Sequence, residues 1–119
     1  MTGVQTCALP IYFDHVDASK AESPLKRAVA MLEKLTGPDT PDVATCLALL
    51  ASVYQHQLKY DQAELLRARA LLIFEKSFGP GHVEVAKALI GFAKLYEVQS
   101  KYEQAEPLYK RAQIGRAHV

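Results

Sequence analysis

A unit of 42 residues recurs along this chain, and that recurrence decides most of what the chain can become. Lys59-Tyr60-Asp61-Gln62-Ala63-Glu64 returns as Lys101-Tyr102-Glu103-Gln104-Ala105-Glu106. The same interval carries Gly37-Pro38 onto Gly79-Pro80, Val43-Ala44 onto Val85-Ala86, Leu47 onto Leu89 and Ala51 onto Ala93. It also carries Tyr54 onto Tyr96, Leu66 onto Leu108 and Ala70 onto Ala112. Towards the N-terminus, Tyr54 maps to Tyr12, Ala63 to Ala21 and Arg69 to Arg27, so a partial copy precedes the first whole one. A single unit cannot bury its own apolar face, and stacking one unit on the next does so.

Each unit reads as two helices. The first runs over about 41–57, with Thr40 as N-cap, Pro41 at the first helical position and Asp42 complementing the positive helix end. Val43, Leu47, Leu50, Ala51 and Tyr54 recur at spacings of three and four and form an apolar stripe. The second runs over about 61–78, with Ala63, Leu66, Ala70, Ile73 and Phe74 facing inward, and Gly79-Pro80 stops it. The next pair is expected over 83–99 and 102–113. An earlier second helix is expected from about Ser23, read as an N-cap before Pro24, to Thr36. No segment alternates as a strand does. Ala51, Ala63, Ala70, Ala93, Ala105 and Ala112 fall where helices must approach closely, and larger side chains there would overpack the contact by about 1–3 kcal/mol.

These residues resemble the tetratricopeptide repeat. Leu47, Leu50, Ala51, Tyr54, Ala63 and Ala70 match its pattern of large and small positions, as do Leu89, Phe92, Ala93, Tyr96, Ala105, Tyr109 and Ala112. A 42-residue unit with a Gly37-Pro38-Asp39-Thr40-Pro41 linker is similar to the repeats of kinesin light chain and nephrocystin. The resemblance implies an all-α solenoid, a right-handed superhelix of antiparallel helix pairs, here as a fragment. It covers nearly all of 12–113: a partial repeat over 12–36, a full repeat over 41–78 and a truncated repeat over 83–113. Three positions depart from that pattern. Leu58 and Ser100 stand in the turn between paired helices, where glycine is frequent. Arg67 stands where an aromatic is usual, which implies a less filled core or a snorkelling stem. Ala48-Leu49 and Ile90-Gly91 replace paired asparagines that can hydrogen-bond a peptide backbone, so apolar capture is expected instead.

Composition narrows the function. Lys plus Arg (14) nearly balance Asp plus Glu (13), which gives no electrostatic footprint for nucleic acid or an acidic membrane surface. No apolar run approaches the roughly 20 residues of a membrane span, and no basic stretch followed by an apolar one opens the chain, so a signal peptide is not expected. The two cysteines, Cys7 and Cys46, have no paired spacing, so a reducing, cytoplasmic setting is expected, with Cys46 a small packed residue rather than a nucleophile. His15, His56 and His82 lack the helical pairing of zinc ligands. Glu33, Glu64, Glu75, Glu103 and Glu106 read as solvated i,i+4 partners of nearby Lys and Arg. No glycine-rich phosphate loop occurs. The expectation is therefore no catalytic, metal or cofactor site, and a protein or peptide partner rather than a small-molecule substrate.

The ends carry a different signal. Ile114-Gly115-Arg116-Ala117-His118-Val119 can be encoded by ATC GGA AGA GCA CAC GTC. Its reverse complement, read in a shifted frame, encodes Thr6-Cys7-Ala8-Leu9-Pro10, and its first base can close the codon of Gln5. The string is similar to a common sequencing adaptor, so 1–11 and 114–119 are expected to be translated adaptor rather than repeat.

In arrays of this kind the first helices line the concave face. The residues on that face and off the core stripe are Thr45, Ala48, Ser52, Gln55 and His56, then Lys87, Ile90, Lys94, Glu97 and Val98. They are the expected partner-binding residues, with Ala48 and Ile90 giving apolar contact and Lys87 and Lys94 meeting acidic side chains. The function expected is a scaffold or adaptor for other proteins. Its rivals are the regulatory array of a larger enzyme or signalling protein and a structural array that associates with itself.

Overall fold

A computed structural model of the chain describes residues 18–117, with side chains described from 20 to 114. They form five α-helices in succession: α1 (Ala18–Thr36), α2 (Pro41–His56), α3 (Tyr60–Phe78), α4 (Val83–Val98) and α5 (Tyr102–Ala117). Among the described residues there is no strand. Each helix packs on the next in the chain, α2 against α1 and α3, and α4 against α3 and α5. The period survives in three dimensions. Shifted by 42 residues, the bounds of α1 fall on those of α3 and the bounds of α2 fall on those of α4.

The alanine seam is where the spacing puts it. Ala51, Ala63 and Ala93 are fully buried, and Ala70, Ala105 and Ala112 nearly so. Val43, Leu47, Leu50 and Tyr54 are buried beside them on α2, and Ile73 and Phe74 on α3. The apolar stripe of α2 is broader than the periodicity implies, because Ala44, Cys46 and Val53 are buried too. A helix flanked by neighbours on both sides loses most of its solvent face, which a one-face pattern does not anticipate. Cys46 is wholly buried but is not a free thiol, so the expectation holds for its packing and not for its chemical state.

Four local expectations need correction. First, Ser23 and Pro24 lie inside α1, not at its start. The turn before them is anchored, since Ala21 is buried and Glu22 accepts a hydrogen bond from Gln57 Nε2 at 3.0 Å. That anchoring offsets the one backbone bond Pro24 cannot make. Second, Thr40 takes the extended N-cap conformation without capping α2 through its side chain; its hydroxyl meets that of Thr36 at 3.0 Å. Third, α5 continues past Gln113 to Ala117, through part of the expected adaptor tail. The segment 1–11 lies outside the described residues, as does His15. Fourth, Glu33, Glu64 and Glu75 pair between repeats rather than along their own helices. Arg69 Nη2 meets Glu33 Oε2 at 2.7 Å, and one period on Arg111 meets Glu75. Lys101 meets Glu64 at 3.8 Å, whereas Glu106–Lys110, at 3.0 Å, keeps the expected spacing of four, as does Glu22–Lys26 at 2.8 Å. These partly exposed pairs set the register of one second helix on the next more than they add stability.

The turns between paired helices repeat as well. Leu58 N–H donates to Gln55 O (3.0 Å) and Lys59 N–H to Tyr54 O (2.8 Å); Ser100 N–H donates to Glu97 O and Lys101 N–H to Tyr96 O, both at 2.9 Å. This is the Schellman pattern, which needs a left-handed residue just past the helix. Leu58 (φ 63°) and Ser100 (φ 61°) supply it without being glycine. Lys59 Nζ then lies 5.8 Å from the Tyr54 ring centre and Lys101 Nζ 5.9 Å from that of Tyr96.

Candidate functional site

The first helices of consecutive repeats, α2 and α4, flank a groove of about 240 Å³. Thr45, Ala48, Leu49 and Ser52 of α2 form one wall, Glu84, Lys87 and Ala88 of α4 the other, and Arg67 and Phe74 of α3 the base. The wall positions follow from helix geometry: residues three and four apart share a face, so 45, 48, 49 and 52 stand in one row beside the buried stripe. The hydroxyls of Thr45 and Ser52 donate back to Pro41 O (3.0 Å) and Ala48 O (3.3 Å), which keeps both side chains close to the helix. Lys87 Nζ stands 3.5 Å from Glu84 Oε1 on the exposed rim.

Four of the ten expected residues, Thr45, Ala48, Ser52 and Lys87, therefore share one groove. The other six do not line it. Gln55 is half-buried and His56 exposed at the far end of α2. Ile90 is half-buried and packs on the core. Lys94 and Val98 are exposed further along α4. Glu97 accepts a hydrogen bond from the Tyr109 hydroxyl, so its carboxylate faces α5. The sequence reading missed Arg67 and Phe74, which come from the second helix and reach the groove from behind.

A second hollow, about 420 Å³, lies between α3 and α4, lined by Asp61, Glu64, Leu65, Ala68, Phe92 and Tyr96. None of the expected residues lines it. The rings of Phe92 and Tyr96 stack with centres 5.0 Å apart. Among the described residues no three His, Cys, Asp or Glu side chains gather to hold a metal ion, and no helix is long and apolar enough to cross a membrane.

Two tyrosines are held protonated. The Glu97 hydrogen bond, then burial, then the carboxylate's charge push the Tyr109 phenol up to about 12. Burial, and secondarily Glu64, push Tyr96 up as well. Because the folded value of Tyr109 exceeds the usual phenol value near 10, its contribution is complete below about pH 10 and is lost as pH rises through about 12. In a phenolate absorbance titration Tyr109 is expected to ionise late, at about pH 12. Because Tyr96 is raised too, Tyr109→Phe should shrink that late component rather than abolish it; a late component of unchanged size would mean that the Glu97 contact does not persist in solution.

A tetratricopeptide repeat family model matches residues 48–113, more than half of the chain. The chain belongs to the tetratricopeptide repeat family. The match takes in most of α2 and the three helices after it, which with α1 form an all-α solenoid fragment. The crystal structure of BtubC (BKLC) from P. vanneervenii superimposes with a TM-score of 0.77 at 22% identity, over 85% of this chain and 41% of that one. At that identity the likeness speaks for the fold, and this chain spans well under half of that protein's length. No curated protein sequence matches.

Proposed function

We propose that this repeat segment is part of a scaffold or adaptor that holds an extended segment of another protein in the groove between α2 and α4. Tetratricopeptide repeats generally serve protein–protein contacts, and the observation that carries the reading is the groove itself. It is open, walled by the first helices of adjacent repeats, and lined with small side chains, Ala48 and Ala88, that leave room for a partner's side chain. Ile90 and the exposed Lys94 and Val98 extend the same helix beyond the groove and would meet a longer segment. The 42-residue period and the Gly-Pro linkers favour the kinesin light chain and nephrocystin type within the family. The cytoplasmic setting expected from the cysteine spacing draws no support from Cys46, which is bonded rather than free.

Two substitutions test the reading with a fluorescein-labelled pool of heptapeptides and polarisation as the readout. Ala48→Phe fills the groove from an off-core position and is expected to weaken binding about tenfold or more, about 1.4 kcal/mol, with helix content unchanged. Lys87→Glu with Lys94→Glu is expected to weaken acidic peptides by a few-fold, about 0.5–1 kcal/mol for exposed charges, and to leave neutral peptides alone. Unaltered binding in Ala48→Phe would place the contact elsewhere on the array.

A further inference from the structure

Arg67 occupies a slot that the repeat fills differently elsewhere. One period earlier the residue is Leu25, which is buried, and one period later it is Tyr109. Arg67 instead runs between α2 and α4. Its Nη2 donates to Ser52 Oγ at 2.9 Å, and its Nε is buried without an acceptor. Among the described residues no carboxylate pairs with it, whereas Arg69 and Arg111 each hold a glutamate of the neighbouring repeat. Room for the guanidinium comes from Gly91: a methyl group there would stand 2.6 Å from Arg67 Nη1. A cation taken out of water without a counter-charge costs stability, and burial lowers the Arg67 pKa accordingly. A positive charge without a paired carboxylate therefore sits at the base of the groove, its guanidinium accommodated over Gly91.

We propose that Arg67 is the anion anchor of this groove and takes the carboxylate of an Asp or Glu side chain from an extended partner segment. The inference rests on reading the groove as a protein-binding surface. A guanidinium edge matches a carboxylate in shape and charge. The volume, about 240 Å³, accepts a side chain or two and no folded element. Glu84 on the rim, already balanced by Lys87 at 3.5 Å, suits a single negative charge better than a doubly charged phosphate.

The test uses the whole chain and two labelled heptapeptide pools, identical and neutral except for a central Glu or a central Gln. The Glu pool is expected to bind about tenfold tighter, the order of a charge-assisted contact. Arg67→Leu, which installs the residue type of position 25, should abolish that preference, and Arg67→Lys should keep part of it. Gly91→Ala leaves the charge but displaces the guanidinium, and should reduce the preference with the fold intact; it decides the matter if Arg67→Leu does not fold. Equal binding of the two pools, or a preference that survives Arg67→Leu, overturns the anchor and leaves the groove reading standing. Binding of neither pool removes both. A central phosphoserine pool that binds more than tenfold tighter than the Glu pool would reassign the anion and overturn the carboxylate.

Discussion

Leu47→Ala is expected to destabilise the chain by about 2–5 kcal/mol, the range for emptying a buried leucine site. Leu47 is 2% exposed and sits mid-way along α2, which packs against α1 and α3. Eight residues of α2 are buried against five of α4, so the cavity left at 47 is enclosed by more fixed neighbours than the one at Leu89. The cost should therefore be larger at 47 than at the equivalent position one period later, because the surroundings at 89 can collapse further. Urea unfolding of the two variants checks the order. Leu65→Ala serves as the contrast: Leu65 is 73% exposed, and its removal should change stability by no more than about 0.5 kcal/mol. Equal losses at 47 and 65 would mean that the stacked core is not what holds the chain together.

The second large effect runs the other way. Leu58→Gly and Ser100→Gly are each expected to stabilise by about 1 kcal/mol, since a left-handed conformation costs a side-chain-bearing residue roughly 1–2 kcal/mol and glycine gives part of that back as unfolded-state entropy. Both positions have φ near 60° and close the same hydrogen-bonded turn. Leu58 is 71% exposed, so little packing is lost with its side chain. The two turns lie in different repeats, so the gains should add to about 2 kcal/mol in the double variant. For a domain of about 100 residues each kilocalorie raises Tm by several degrees. A lower Tm in both variants would show that the turns relax out of the left-handed region in solution.

Which parts of this architecture could be read in advance follows from how local the physics is. The helix pairs were legible because their signals are short-range: a Gly-Pro stop, apolar residues three and four apart, and alanines returning at a constant interval. The strained turn was legible by comparison, since Leu58 and Ser100 stand where repeats of this kind often place glycine. The start of α1 was not, because Ser23-Pro24 is locally a sound N-cap. Burial of Ala21 and the contact between Glu22 and Gln57, 35 residues away, carry the helix through it. The candidate groove was half legible. Thr45, Ala48 and Ser52 share a face by helical spacing alone, and Lys87 meets them across a repeat. Glu97 was turned aside by Tyr109, and Ile90 packs on the core.

The sequence by itself determined the period, the helix bounds to within a residue or two over most of the chain, and the small-residue seam. Each of these depends on neighbours within one or two helical turns. Only the tertiary structure decided that Arg67 would lie over Gly91 and beside Ser52, and that Glu33 would meet Arg69 as Glu75 meets Arg111. Those contacts join different helices, two of them one repeat apart. They depend on the angle and offset with which one helix pair stacks on the next, quantities set by side-chain packing across the whole interface rather than by any stretch of chain.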